Sequence, residues 1–293
     1  MPIDEIRRDN AKKILESKGY VVIGYLGQGA YNTVFKCKKD GNVVAARVVS
    51  GNKEAVVAER YAAKIFEGRN LSLIELKSDK QFYKYLNIPT KSEHDEDNWC
   101  IIESTLAEGD LEERVVEDPE DSATRMKKLR GEGVIKKLNE VRRIFKNALK
   151  GLKALHDKDL VHLDIKPANI LRIEATGKAG NRKYNYQLSD FGSMISKSQV
   201  KEQAEKLKEN IEGLREFIEK VAERGTDRYS PPEFRNLKNC SDKDLVQLVK
   251  HIKKADIYAL GVTMFEIYIS IMWPGSRMND DDLKNLEDQN YNN

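Results

Sequence analysis

Two short polar runs in the middle of the chain constrain its fold more than any other feature. Residues 162–169 read HLDIKPAN, and after a turn and a strand residues 190–192 read DFG. Each run alone is weak, because His-x-Asp is often a structural pair and Asp-Phe-Gly is often only a turn. Together they place two carboxylates and an amide on two loops that one cleft would have to bring together.

The order of the predicted elements supports such a cleft. Residues 20–50 alternate apolar and polar side chains around a turn at 39–42, which predicts three antiparallel strands. Helical spacing follows at 52–67, a strand pair is expected at 81–85 and 98–103, and the chain is then mainly helical to 273. Strands first and helices later indicate an α+β protein with two lobes that divide near residues 105–109.

Three further runs occur at the expected places. Residues 27–34 read GQGAYNTV between two strands, residues 225–233 read GTDRYSPPE, and residues 256–261 read DIYALG at the start of a long apolar helix. With the first two runs they resemble, in order and spacing, the eukaryotic-type protein kinases over about residues 20–275. The resemblance implies a bilobal fold: a small antiparallel β-sheet N-terminal lobe at 20–105, preceded by a helical extension at 1–19, and a mainly helical, shortened C-terminal lobe at 106–293.

The resemblance implies roles for five residues in phosphoryl transfer. Asp164 orients the attacking hydroxyl and accepts its proton, Lys166 neutralises charge on the transferred group as in serine/threonine kinases, and Thr226 contacts both. Asn169 and Asp190 are the expected ligands of Mg²⁺. ATP and Mg²⁺ are the implied cofactors, and a protein hydroxyl is the implied substrate.

The nucleotide site follows from the same resemblance. The phosphate-covering loop would contribute Gly27, Gly29 and Val34, the third strand Ala45 and Arg47, the following helix Glu59 with Glu54 as the alternative, and the end of the hinge Asp110. The competing interpretations are a solvated helix charge for Glu59 and a helix N-cap for Asp110.

The chain departs from the family pattern at Arg47. Residues 44–47 read VAAR, where kinases have a lysine that reaches the α- and β-phosphates. A planar guanidinium on a longer stem does not replace a compact ammonium at a tightly fitted site, so this form is expected to be impaired or inactive. Two explanations stay open: a natural kinase-like protein with weak catalysis, or an inactivated version of an active kinase, which the other intact positions favour.

Two other departures concern regulation. Leu163 replaces the arginine that normally pairs with a phosphorylated activation segment, so this control is not expected. Two segments look inserted: 112–133, rich in charge, and 197–224, a long helix with an apolar seam over 200–221. The seam would pack either on the chain's own helical lobe or against a second copy or partner helix.

Composition excludes several other classes. The formal charge of +3 from 51 basic and 48 acidic residues is too small to indicate nucleic acid as the main partner. The apolar run 257–273 has the length of a membrane span, but Glu266 in its middle favours a buried core helix.

Three widely spaced cysteines favour a reducing compartment, the cytoplasm. Only 20 residues follow the run, and this short lobe resembles effector kinases that bacteria deliver into the host cytosol.

Three functions fit these observations. The first is an ATP-dependent serine/threonine protein kinase, and the second is a kinase-like scaffold that acts by binding a partner protein. The third is a small-molecule phosphotransferase, which would share Asp164, Asn169 and Asp190 but would not need Lys166 or the run at 225–233.

Overall fold

The computed structural model of the chain describes residues 3–29, 32–50, 56–57, 91–95, 99–112, 132–175 and 183–273. Within the described residues, strands predominate before residue 105 and helices after it, as the change of periodicity predicts. The strands are β1 (Val21–Gln28), β2 (Asn32–Lys39), β3 (Asn42–Ser50), β4 (Lys91–Asp95), β5 (Trp99–Ser104), β6 (Gly109–Asp110), β7 (Leu160–Val161), β8 (Ile170–Ala175), β9 (Lys183–Leu188) and β10 (Ile195–Ser196). The helices are α1 (Ile3–Ser17), α2 (Glu132–Asp157), α3 (Lys197–Lys206), α4 (Ile211–Ala222), α5 (Pro232–Arg235), α6 (Asp242–His251) and α7 (Lys253–Met272), with short 3-10 turns at Pro167–Asn169, Asp227–Tyr229 and Leu237–Asn239.

The N-terminal lobe is built on a five-stranded sheet. Its order is β1-β2-β3-β5-β4 and every neighbouring pair is antiparallel. The predicted turn joins β2 to β3 through Asp40 and Gly41, whose φ angles of 50° and 83° are those of a tight hairpin turn. The strand expected at 98–103 is β5, whereas the strand expected at 81–85 lies outside the described residues.

The chain passes between the lobes directly after β5. This strand ends at Ser104, and β6 at Gly109–Asp110 already pairs with β8 of the C-terminal lobe. The crossing therefore takes place over residues 105–108, at one edge of the space between the lobes.

Helix α7 is the centre of the C-terminal lobe. Among the described residues it is the one helix long and apolar enough to cross a membrane by length and composition. Its apolar side chains, including Leu260, Met264 and Ile267, instead pack with α2 and β9 in the largest buried cluster. Glu266 is buried beside Arg228 and Tyr229: Arg228 donates from Nε at 2.8 Å and the Tyr229 hydroxyl donates at 2.6 Å. The paired carboxylate explains how an apolar core helix tolerates a charge.

The prediction of a single long helix at 197–224 is wrong, because the structure has two shorter helices there. Helix α3 ends at Lys206, and Asn210 starts α4 by accepting a hydrogen bond from the backbone N–H of Gly213 at 3.0 Å. The break turns the apolar residues of both helices towards α6. The buried residues are Val200, Ala204, Leu214, Ile218 and Val221 from the seam and Leu245, Val249 and Ile252 from α6 and its end.

This packing distinguishes between the two expected fates of the seam. Leu214 is 1% exposed and Ile218 is 3% exposed within a single chain. The side chains that a partner helix would need are already covered by the chain's own helical lobe.

Candidate active site

The loop of residues 162–169 is fixed from below by α7. The Asp256 carboxylate accepts hydrogen bonds from the backbone N–H of His162 at 2.9 Å and of Leu163 at 2.8 Å. His156 lies 2.8 Å from the same carboxylate. Leu163 has a φ of 67°, a conformation that costs energy for any residue except glycine, and these two bonds hold it there. The sequence run HLD is therefore displayed in one fixed geometry.

Asp164, Lys166 and Thr226 meet as the family resemblance predicts. The Thr226 hydroxyl donates to Asp164 Oδ1 at 2.7 Å and accepts from Lys166 Nζ at 2.8 Å. Lys166 Nζ also lies 2.9 Å from Asp164 Oδ2. A carboxylate with one oxygen on a hydroxyl and the other on an ammonium cannot rotate freely, so it can present a defined lone pair to an attacking hydroxyl.

The close approach of the two loops depends on Gly225. A β-carbon at this position would lie 2.5 Å from the carbonyl oxygen of Leu163. Any larger residue would push Thr226 away from Asp164. The run at 225–233 contained Gly225, but only the tertiary contact shows why glycine is needed there.

Asn169 completes the loop beside Asp164. Its amide nitrogen donates to the backbone oxygen of Asp164 at 2.7 Å and to Oδ2 at 3.0 Å. Its side chain is thereby oriented, and the residue is 5% exposed on the wall of the cleft between the lobes. The amide oxygen is the atom that could hold a metal ion.

Asp190 is paired with the residue that departs from the family pattern. Arg47 Nη1 lies 2.5 Å from Asp190 Oδ1. Burial would raise the pKa of Asp190, but the charge and hydrogen bond of Arg47 outweigh it and hold the pKa below its ordinary value. The carboxylate is ionised at neutral pH, as a metal ligand must be, and it already neutralises one cation.

The cleft between the lobes is a cavity of about 410 Å³. Its walls include seven of the residues expected at the nucleotide and metal sites: Gly27, Val34, Ala45, Arg47, Asp110, Asn169 and Asp190. This volume suits a small polar ligand held between two lobes. Asp164, Lys166 and Thr226 are linked to this wall through Asn169.

The remaining residues expected at the nucleotide site are Gly29, Asp110 and Glu59, with Glu54 as the alternative to Glu59. Gly29 lies at the entrance to the loop, directly after β1, and its N–H donates a hydrogen bond to the side chain of Asn32. Asp110 lines the cleft, and its Oδ1 accepts a hydrogen bond from the N–H of Glu112 at 2.8 Å. Its contact with a ribose stays a prediction, and the residues after Glu112 that a helix capped by Asp110 would need lie outside the described residues. Glu59 and the alternative Glu54 lie outside the described residues.

Sequence reasoning missed much of the cleft wall. The segment that connects the lobes contributes Ser104, Thr105, Ala107 and Glu108, and β8 contributes Leu171. None of these positions falls within one of the motif runs, so the sequence did not mark them as part of the cleft. The position of Leu171, two residues after Asn169, was the one available signal.

Leu163 stands where the resemblance would place an arginine, and its side chain packs in a hydrophobic cluster. It is 8% exposed and belongs to the buried cluster that α3, α4 and α6 form. The segment between Asp190 and Thr226 is therefore held by hydrophobic packing at the position where other members of the resembled family would use an arginine and a phosphate.

Known proteins resemble the chain in the way this geometry suggests. The family model described as protein kinase domain matches residues 20–292. The eukaryotic translation initiation factor 2-alpha kinase gcn-2 of Caenorhabditis elegans is 30% identical over 158 residues, which are 51% of this chain and 9% of that protein. A probable serine/threonine-protein kinase of Dictyostelium discoideum is 25% identical over 252 residues, 85% of this chain and 30% of that protein.

A solved structure has the same fold. A crystal structure described as a kinase domain superposes with a TM-score of 0.53 at 15% identity, covering 89% of this chain and 66% of that one. The chain thus spans 9% and 30% of the two curated relatives and about two thirds of the solved chain.

Proposed function

The chain belongs to the protein kinase family, and from this premise we propose that it is a serine/threonine protein kinase that transfers the γ-phosphoryl group of ATP to protein hydroxyls. One observation carries the proposal: Asp164, Thr226 and Lys166 form a closed hydrogen-bonded triangle with contacts of 2.7, 2.8 and 2.9 Å. A scaffold that only binds a partner has no need of such a triangle.

The residues of the cleft fit ATP and Mg²⁺. Asn169 supplies an amide oxygen and Asp190 an ionised carboxylate on adjoining parts of the wall, and oxygen donors of this kind are those that Mg²⁺ prefers. When bound, Mg²⁺ would neutralise the phosphate charges. The roles of the chain's own residues are to orient the acceptor hydroxyl and take its proton at Asp164, and to place the Lys166 ammonium beside the transferred group.

We propose further that Arg47 impairs this form. Its side chain is 15% exposed, and its guanidinium is engaged with Asp190, the carboxylate that a metal ion would need. Because the Arg47 guanidinium is bound to this carboxylate, it competes with a metal ion for the same oxygen and lowers the affinity for the metal. It is also held away from the phosphates. The same contact is what favours the alternative, a kinase-like scaffold that has lost catalysis.

An activity measurement with two variants separates the alternatives. Arg47→Lys should incorporate labelled phosphate from Mg·ATP into a generic protein substrate or into itself, and Arg47→Lys combined with Asp164→Ala should not. Incorporation that persists without Asp164 would contradict its role. A protein that stays silent in both variants while it binds nucleotide would favour the scaffold.

We also propose a reducing compartment, the cytoplasm, as its location. All three cysteines are within the described residues, and all are free thiols. Cys37 and Cys100 are fully buried, and burial with the nearby charge of Glu103 raises the pKa of Cys37 to about 11. Free thiols of this kind are typical of reducing surroundings.

A further inference from the structure

The N-terminal helix α1 contacts the end of the glycine-rich loop. Arg7 Nη1 donates to the carbonyl oxygen of Gly29 at 3.2 Å. One turn earlier on the same face, Asp4 Oδ1 accepts a hydrogen bond from Gln28 Nε2 at 2.9 Å. Two consecutive residues at the entrance to the loop, Gln28 and Gly29, are thus bound to the first turns of a helix that precedes the sheet in sequence.

The loop is also closed on itself. The Gly29 N–H donates to the backbone oxygen of Asn32 at 2.9 Å and to its side-chain Oδ1 at 3.1 Å. A β-carbon at Gly29 would lie 2.9 Å from that Oδ1, so this closure needs glycine. Asn32, which stands where the family pattern has a third glycine, therefore pins the base of the loop.

Helix α1 is a firm base for these contacts. Its Ala11 and Leu15 are 1% and 0% exposed and pack against Phe35 and Cys37 on the outer face of the sheet. The Arg8 guanidinium lies 5.5 Å from the ring centre of Tyr25 on β1. Because the second half of α1 is anchored in a core, its first turns hold Gln28 and Gly29 at a fixed height above the cleft.

We propose that Arg7 and Asp4 are positioning residues that hold Gln28 and Gly29, at the entrance to the glycine-rich loop, in place beside the cleft, so that α1 sets how fast a nucleotide leaves. The proposal rests on the proposed use of ATP. Gly27 and Gln28 line the same cleft as Asp190, so a motion of the loop entrance moves part of the cavity wall. A loop must open before a ligand beneath it can leave, and each contact that has to break first slows that opening.

These contacts act on the loop more than on the whole fold. Both are exposed hydrogen bonds, and such contacts add little to global stability. Losing one shifts a local opening equilibrium by roughly twofold to tenfold. Removal of Arg7 and Asp4 should therefore change loop opening while the melting temperature stays close to that of the parent.

The test uses this chain with Arg7→Ala and Asp4→Ala combined in one double variant. Arg7→Lys is the conservative variant, and Lys12→Ala is the matched control. Lys12 lies on the same helix and forms an exposed ion pair with Glu16 at 3.8 Å, away from the loop. Release of a fluorescent ADP analogue with Mg²⁺ is followed by stopped flow. Amide hydrogen exchange of the peptide 27–36 is measured without nucleotide.

Arg7→Ala with Asp4→Ala should release nucleotide roughly threefold to tenfold faster and exchange faster over 27–36. Arg7→Lys should fall between this variant and the parent, and Lys12→Ala should match the parent. Unchanged release and unchanged exchange in the double variant would overturn the inference. If the parent binds no nucleotide, the proposed use of ATP fails, and the exchange measurement alone decides whether α1 holds the loop.

Discussion

Arg47 on β3 reaches Asp190 across the cleft, with Nη1 2.5 Å from Oδ1. The contact joins the two lobes. It connects the residue that replaces the expected phosphate-binding lysine with the carboxylate expected to bind Mg²⁺. Asp190 has a φ of 61°, so its backbone is held in a conformation that side chains other than glycine seldom adopt. The pair therefore ties strand β3 of the N-terminal lobe to the segment that follows β9 in the C-terminal lobe through two held groups, Nη1 and Oδ1.

The first prediction concerns the metal. In the Arg47→Lys protein, Mg·ATP at about 100 times its dissociation constant should stabilise the fold by about 2.7 kcal/mol. The part of this shift that needs Mg²⁺ should disappear in the same protein with Asp190→Ala. Thermal unfolding with ATP plus EDTA is the control, and each protein is compared with itself without ligand. Equal magnesium-dependent shifts in both proteins would remove Asp190 from the metal site.

The second prediction concerns the Thr226 hydroxyl, which donates to Asp164 and accepts from Lys166. Thr226→Ala in the Arg47→Lys protein should lower kcat up to about 100-fold, because Asp164 loses the bond that fixes its orientation. KM for ATP should change little, since Thr226 is not on the wall of the nucleotide cavity. Thr226→Ser keeps the hydroxyl and should retain most of the activity. A loss of equal size in both variants would show that the methyl packing matters rather than the hydrogen bond.

The third prediction concerns the buried seam of α4. Leu214→Ala should cost about 2–5 kcal/mol, because Leu214 is 1% exposed and its removal leaves a cavity against α6. The control is Glu216→Ala on the exposed side of the same helix, expected within about 0.5 kcal/mol of the parent. Denaturant unfolding measures both. Sedimentation should show the same mass for parent and variant, whereas a dimer that dissociates on Leu214→Ala would mean that a second copy covers the seam.

The fourth prediction is a pH dependence at Asp159. Burial would raise the pKa of this carboxyl, but hydrogen bonds from Ser198 and the ammonium of Lys253 lower it. Asp159 accepts from the N–H of Ser198 at 2.9 Å and so caps the first turn of α3. Because its folded pKa lies below the unfolded value of about 3.9, the carboxylate stabilises the fold above that pH and loses this effect as pH falls through the folded pKa.

The melting temperature of Asp159→Asn should therefore be lower than that of the parent at pH 7. The difference between the two melting temperatures should shrink as the pH is lowered beneath about 4. Melting temperatures between pH 7 and pH 3.5 measure it. A difference that is the same at every pH would show that the charge of Asp159 contributes nothing and that only the shape of the cap matters.

The sequence by itself determined the fold and which residues were expected at the candidate active site. Alternation over 20–50 defines the strands because side chains on a strand must face opposite sides, and the turn residues Asp40 and Gly41 tolerate the positive φ angles that join them. The runs that contain Asp164, Lys166 and Thr226 predict their meeting because their order and spacing resemble those of protein kinases, in which these residue types act on one transferred phosphoryl group.

Only the tertiary structure decided how the remaining parts come together. Heptad spacing over 200–221 predicted an uninterrupted helix, but a local pattern cannot show that a break at Asn210 lets both halves bury against α6. The contact of Arg47 with Asp190 joins residues 143 positions apart, and that of Arg7 with Gly29 joins the residue after β1 to a helix outside the matched family region. These relationships depend on distances across the folded chain, and residue spacing along the sequence carries no information about them.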